Sequence, residues 1–324
     1  MGRLFYWRAT EGGVTNHYSA TDPSKLLVNR FKALCDAHPT QANYVSIGKS
    51  YEGRDIWMFR IGTIGGGVVL LDGCLHGWED MGTECEYRYA KWLLESGDPK
   101  TLEILQKNYS LFVPVVNMDS VERQNRDFNP CLYGVDLNRN FTSGWTYTGC
   151  ADYPNCYHGP SAASEPETLI LKNVFQTYKP EIYLNTHYGG GPYLAYYSGE
   201  QSSIVQPILN RISQLSMQMG VTPYPVSSSG SNGYAIGDAH NAGAIAWLLE
   251  TATETDYHTG TDPTPSCYMH DVQEIVDIDT YYFPKMLPIF IAFSEAVAKN
   301  PVTQKHVFTQ WNDGDLNNPK TVTT

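Results

Sequence analysis

No stretch of this 324-residue chain is apolar for anything like the ~18 residues that a membrane-crossing helix needs, so no membrane partner is expected. Basic residues are also scarce. Lys and Arg number 22 against 34 Asp and Glu, for a formal net charge of −12. A nucleic-acid binder neutralises phosphates and is usually basic, so this balance counts against one. It reads instead as a solvated acidic surface. No Cys-x-x-Cys occurs, which removes the common thiolate zinc sites. The seven cysteines are an odd number, so at least one is free or paired between chains. No internal repeat and no long low-complexity linker is present. The start, Met1-Gly2-Arg3-Leu4-Phe5-Tyr6-Trp7, lacks the apolar stretch of a signal peptide, although a start left by processing would look the same.

The chain does carry ample material for one large core, with 42% hydrophobic and 17% charged residues. Apolar spacing predicts a first helix over residues 23–37 and a hairpin of strands 44–47 and 56–61 around Gly53-Arg54. Four nearly continuous apolar runs follow, at 68–71, 111–116, 182–184 and 244–249. Such runs suit strands buried on both faces. Between them lie helical segments at 83–95, from Ser164 through Pro166 onward, at 203–219 and at 281–299. Ser164 is the expected N-cap of the second, with Glu167 three residues later. Alternating strands and helices imply an α/β sandwich around a mixed, mostly parallel sheet.

Polar clusters end each of the four runs. His76-Gly77-Trp78-Glu79 follows the first, Asn117-Met118-Asp119 the second, Thr186-His187 the third and Glu250-Thr251 the fourth. Ligands of open α/β sheets bind at the carboxyl ends of strands, so all four clusters are expected to converge. Two imidazoles and one carboxylate leave a fourth position for water on a zinc ion, the arrangement of hydrolytic sites. Zinc lowers the pKa of such water toward ~7 and polarises the bond to be cut.

At this point the chain resembles the zinc carboxypeptidases of the carboxypeptidase A type. The resemblance rests on Ser46-Ile47-Gly48-Lys49-Ser50-Tyr51-Glu52-Gly53-Arg54, His76-Gly77-Trp78-Glu79 and Gly134-Val135-Asp136-Leu137-Asn138-Arg139-Asn140-Phe141. It continues through Tyr157-His158-Gly159-Pro160, Ser164-Glu165-Pro166-Glu167, Thr186-His187 and Leu249-Glu250. It implies a single-domain three-layer α/β/α sandwich over residues 21–300, with appended ends at 1–20 and 301–324. It further implies one Zn2+ per chain on His76, Glu79 and His187, with Asp136 orienting the first histidine. Asn138 and Arg139 would bind the free carboxylate of a peptide or protein C-terminus. Glu250 would be the general base. Arg126, with Arg123 as the alternative, would polarise the scissile carbonyl. The expected partners are peptide C-termini, and the expected state is a monomer.

Some positions depart from the pattern. Trp78 stands where the family often has Arg, and Asn117-Met118-Asp119-Ser120 replaces Asn-Pro-Asp-Gly. A tyrosine that closes over the substrate is implied near residues 226–227, which leaves Tyr224 and Tyr234 as the two choices. Ala235 and Ile236 suggest an apolar pocket for the terminal side chain, whereas an inward Asp238 would favour a basic one. Cys131 and Cys156 resemble the location of a disulfide in secreted relatives, with Cys150 nearby. An extracytoplasmic or a cytoplasmic location both stay open. Three other readings also remain: a cell-wall peptide carboxypeptidase, an N-acyl amino acid deacylase, and an inactive binding module on the same fold.

Overall fold

The computed structural model describes residues 27–77, 79–119, 135–145, 157–189, 191–253 and 278–298. Helix α1 (Leu27–Ala37) leads into the hairpin β1 (Ala42–Lys49) and β2 (Asp55–Gly62), then β3 (Gly67–Asp72). Helices α2 (Met81–Glu95) and α3 (Pro99–Lys107) precede β4 (Asn108–Val113). After α4 (Pro166–Tyr178) come β5 (Ile182–Gly189), β6 (Tyr193–Tyr197), α5 (Ser202–Met219) and β7 (Val226–Ser229). Helix α6 (Ala235–Asn241), β8 (Ile245–Thr253) and α7 (Phe283–Ala298) complete the described elements.

The strands form one mixed sheet in the order β1-β2-β4-β3-β5-β8-β6-β7. Its centre, β4-β3-β5-β8, is parallel. The hairpin adds antiparallel strands at one side, and β6 pairs antiparallel with β8 at the other. This is the expected α/β architecture, in which helices cover both faces.

Side chains of a strand point alternately to opposite faces. The central strands use that rule to feed two separate cores. Val69, Leu71, Phe112, Ile182, Leu184, Trp247 and Leu249 join one core with residues of α1, α2, α5 and α7. Leu70, Leu111, Tyr183, Ala246 and Leu248 join the other with α4 and α6. Continuing the alternation places Asp72, Asn185, His187 and Glu250 on the α4/α6 face. Thr186 then points to the α2 face.

Several boundaries differ from expectation. The N-cap position of α4 is Glu165 rather than Ser164, with no side-chain cap bond; Ser164 donates its hydroxyl to Glu165 Oε1 at 2.7 Å. Helix α3 was not expected, although Asp98 caps it by accepting from the Lys100 N–H at 2.8 Å and Pro99 opens its first turn. Strands β6 and β7 were missed as well. β6 follows a Gly-rich stretch, and β7 is four residues with an exposed serine pattern, so neither shows a buried-strand signature. The π-helical turn Ile278–Tyr282 precedes α7 where continuous helix was expected. The ends at 1–20 and 301–324 lie outside the described residues.

Candidate metal centre

The loop from β3 to α2 carries His76 and Glu79, and the exit of β4 holds it in place. The Val116 N–H donates to Gly73 O, the Asn117 N–H to Cys74 O at 2.9 Å, and Asn117 Nδ2 to Leu75 O at 3.0 Å. Cys74 takes a left-handed conformation, φ 49°, rare outside glycine. The cluster at the end of β4 therefore supports the histidine loop instead of joining the centre. Asp119 in particular turns away. It accepts from Ser50 Oγ at 2.6 Å, the Glu52 N–H at 2.8 Å and Arg54 Nη1 at 2.8 Å. It thereby ties down the Ser50–Arg54 turn of the hairpin. This corrects the expectation that all four strand-end clusters converge: three do.

His76, Glu79 and His187 come together with donor atoms all within 4.8 Å of one another. The two oxygens of Glu79 divide between the imidazoles. Oε1 lies 2.8 Å from His76 Nδ1, and Oε2 lies 2.7 Å from His187 Nδ1. Both Nε2 atoms face outward. His76 Nε2 is 3.0 Å from Asp136 Oδ1, and His187 Nε2 contacts Asn185 Oδ1. With a hydrogen on Nε2 facing such an acceptor, Nδ1 would be left to a metal; in the structure each Nδ1 contacts a Glu79 oxygen. Asn138 Nδ2 lies 3.0 Å from the same Nε2 of His187, while its Oδ1 accepts the Ala235 N–H at 3.0 Å.

Burial opposes the charged form of each of these groups, but their mutual attraction outweighs it. His76 is held well above its ordinary range by Glu79 and Asp136. Glu79 and Asp136 are correspondingly lowered by the histidines. Two imidazole nitrogens and a carboxylate oxygen, oriented inward and backed by acceptors, suit a borderline-soft divalent ion such as zinc.

Asp136 serves its turn as well as His76. Its Oδ1 accepts the Asn138 N–H at 2.9 Å and caps the short 3-10 helix Leu137–Arg139. Arg139 Nη1 donates to Asn138 O at 3.0 Å and lies 3.8 Å from Asp136 Oδ2. Its guanidinium sits 4.5 Å from the centre of the Tyr234 ring. Glu250 pairs with His187 across β5 and β8, and with Tyr193 across β8 and β6. Burial, with Glu250 and Tyr234 nearby, raises the Tyr193 phenol. Tyr193, Tyr234, Arg139 and Glu250 thus border one side of the histidine pair.

The structure separates the two candidate tyrosines. Tyr224 is buried in the core on the opposite face of the sheet, its hydroxyl donating to Thr251 O at 3.3 Å. Tyr234 stands on the site's own face. Asp238 does not provide an open acidic pocket: its carboxylate takes the Thr142 and Ser143 N–H groups and pairs with Lys172 Nζ. Arg123, Arg126, Trp78, Cys131, Cys150 and Cys156 lie outside the described residues.

Four polar residues behind His187 were not anticipated. Asp72 accepts from Tyr183 Oη and Asn185 Nδ2, both at 2.9 Å. Burial pushes the Asp72 carboxyl up to about 7 against the pull of those bonds. Beyond the sheet, Thr186 Oγ1 lies 3.1 Å from Asp72 O and 2.9 Å from Glu86 Oε1. A hydroxyl has one hydrogen, and the carbonyl can only accept. Thr186 shares that hydrogen between the two oxygens, and burial, with Asp72 nearby, raises the Glu86 acid well above normal. Asn185 was legible in principle, since it sits two residues before His187 on the same face.

A profile of the zinc carboxypeptidase family matches residues 27–264, and the chain belongs to that family. It is similar to carboxypeptidase A6 of Homo sapiens, 29% identical over 190 residues that cover 53% of this chain and 44% of that protein. It is also similar to the zinc carboxypeptidase of Simulium vittatum, 30% identical over 183 residues, 52% and 57% of the two chains. The chain spans about half the length of these curated relatives. The crystal structure of carboxypeptidase A from Helicoverpa armigera shares the fold, with a TM-score of 0.69 and 21% identity over 92% of this chain and 79% of that one.

Proposed function

We propose that the protein is a zinc-dependent metallocarboxypeptidase that removes the C-terminal residue of peptides. The observation that supports this most is the meeting of both Nδ1 atoms on Glu79, at 2.8 and 2.7 Å, with Glu250 in register beside His187. His76 and His187 would hold zinc through Nδ1, and Glu79 through its carboxylate. A zinc ion held there supplies a Lewis acid that acidifies water and polarises a carbonyl.

The chain's own groups would do the rest. Asp136 and Asn185 keep the imidazole hydrogens on Nε2. Glu250 accepts the proton of the attacking water and delivers it to the leaving amine nitrogen. Arg139 binds the terminal carboxylate, a role suited to a guanidinium fork that can make two parallel hydrogen bonds. Tyr234, lying over Arg139, would close on the terminal residue. Arg126 would assist the developing oxyanion. Because Lys172 neutralises Asp238, the terminal side chain is expected to be uncharged.

Comparison of a peptide acid with its C-terminal amide tests the reading. A desolvated carboxylate pair is worth a few kcal/mol, so the acid should be preferred on the order of a hundredfold in kcat/KM. Arg139→Ala should narrow that gap by losing rate on the acid. Equal rates on acid and amide in the parent would exclude an exopeptidase and favour an endopeptidase or deacylase.

A further inference from the structure

Asn185 links two very different groups. Its Oδ1 contacts His187 Nε2, and its Nδ2 donates 2.9 Å to Asp72 Oδ1. Asp72 stands opposite Asn185 in the β3–β5 register. Tyr183, two residues earlier on β5, donates to the other oxygen at 2.9 Å. Asp72, Tyr183 and Asn185 are completely buried, and His187 is 2% exposed. Bulk solvent does not reach these contacts.

A primary amide can face His187 with either its oxygen or its nitrogen. The two orientations have opposite consequences. An oxygen accepts a hydrogen from Nε2 and leaves the Nδ1 lone pair for a metal. A nitrogen would donate to Nε2 and put the imidazole hydrogen on Nδ1, where it blocks a metal. Asn138 Nδ2 already faces this Nε2 at 3.0 Å, so the Asn185 oxygen is the acceptor that can hold a hydrogen there, and the group on the far side of the Asn185 amide decides whether that oxygen or the nitrogen faces His187. Asp72 takes the Tyr183 hydroxyl on one oxygen and the Asn185 NH2 on the other, and an amide whose NH2 faces Asp72 turns its oxygen to His187. With Tyr183 donating to the second oxygen, Asp72 has no reason to rotate.

We propose that Asp72 is a positioning residue of the metal centre, acting through the Asn185 amide to set which nitrogen of His187 carries its hydrogen. Glu86 lies near the same strand and is equally buried, but it meets Thr186 on the opposite face and stands outside this relay. It serves as a built-in control. The inference rests on the zinc reading above, and the two fail differently. A parent protein that takes up no zinc defeats that reading, whereas unaltered affinity in variants of a zinc-binding parent defeats only this one.

The test is zinc affinity by chelator competition, beside the melting temperature of the zinc-free proteins. Loss of partners behind a metal-bound histidine typically weakens binding 10- to 100-fold, so Asp72→Asn and Asn185→Ala should each fall in roughly that range. Glu86→Gln keeps the shape of a side chain that meets Thr186 rather than Asn185, and should stay within about twofold of the parent. The double variant should bind about as well as Asn185→Ala alone, because the relay runs through the Asn185 amide. A folded Asp72→Asn with parental affinity overturns the proposal, as do additive losses in the double variant. If Asp72→Asn does not fold, Asn185→Ala decides alone: parental zinc affinity there overturns the relay.

Discussion

Gly82 sits where helix α2 crosses closest to strand β5. A methyl group added there would lie 2.6 Å from Thr186 Oγ1 and nearer still to Thr186 Cβ. Two effects of Gly82→Ala compete. Alanine favours helix over glycine by at most about 1 kcal/mol. Overpacking a filled interior costs about 1–3 kcal/mol. The upper part of that range applies, because neither partner can yield cheaply. Thr186 is β-branched, fully buried and bonded on both sides. Helix α2 is pinned by Tyr89, which stacks on Phe290 at 4.8 Å and hydrogen-bonds Ser294 at 2.7 Å, and by the Arg30–Glu84 pair at 2.7 Å. The net expectation is a loss of about 1–2 kcal/mol, or roughly 2–4 °C in Tm for a chain this size. Zinc affinity should fall as well, because the helix that follows Glu79 and the strand that carries His187 are pushed apart. Calorimetry and chelator competition measure the two quantities. Gly230→Ala is the control, since its added methyl would meet nothing closer than 4.0 Å. A Gly82→Ala protein as stable as the parent would refute the close approach of α2 to β5.

The protein should hold about one zinc per chain, and His76→Ala should abolish tight binding, since two remaining ligands rarely retain the ion; full occupancy by metal analysis would defeat the assignment. Glu250→Gln should keep zinc and fold yet lose turnover, because an amide of the same shape cannot take a proton. A near-parental kcat would mean that the base lies elsewhere. Glu295, clasped by Arg211 and Lys100 at 2.9 Å each, has its carboxyl lowered from 4.5 to about 2. A depressed acid stabilises above its unfolded value and loses that contribution as pH falls toward 2, so Glu295→Gln should cost about 1 kcal/mol at pH 7 after solvent screening, with the gap closing on acidification.

Much of the sheet was legible because its central strands are buried on both faces. Residues 68–71 and 182–184 read as apolar runs for that reason, and both became inner parallel strands. The edge strand β7 was invisible because Ser227, Ser228 and Ser229 bury little. Local caps were only half informative. Asp98-Pro99 marks α3 as clearly as Ser164-Glu165-Pro166 marks α4, yet the second was placed one residue off, because Ser164 spends its hydroxyl on Glu165. The motifs around the candidate site came from family resemblance. Geometry supplied their reasons: Asp136 serves both a histidine and a turn, and Asp119 holds the Ser50–Arg54 turn.

What could not be read was anything whose partner lies on another strand. Asp72 ends an apolar run, and from sequence it is an ordinary polar residue at the entrance to a loop. Its meaning depends on the β3–β5 register, which sets it opposite Asn185 rather than one residue away. A shift of one residue would turn Asp72 toward the α2 face and leave Asn185 without an acceptor. The same register argument applies to Glu250. Its place beside His187 is a property of the β5–β8 pairing, and Tyr193 reaches it only because β6 returns antiparallel. Burying so many carboxyl groups in one region is costly unless each is paired or protonated. Glu79 and Asp136 are paired with histidines, Asp72 is filled by two donors, and the Glu86 acid, raised well above normal by burial, takes the Thr186 hydroxyl. Of these four, Glu79, Asp136 and Asp72 contact the imidazoles directly or through Asn185, and Glu86 meets Thr186 on the opposite face. That division follows from strand alternation, and it predicts that Glu86→Gln spares metal binding while Asp72→Asn weakens it.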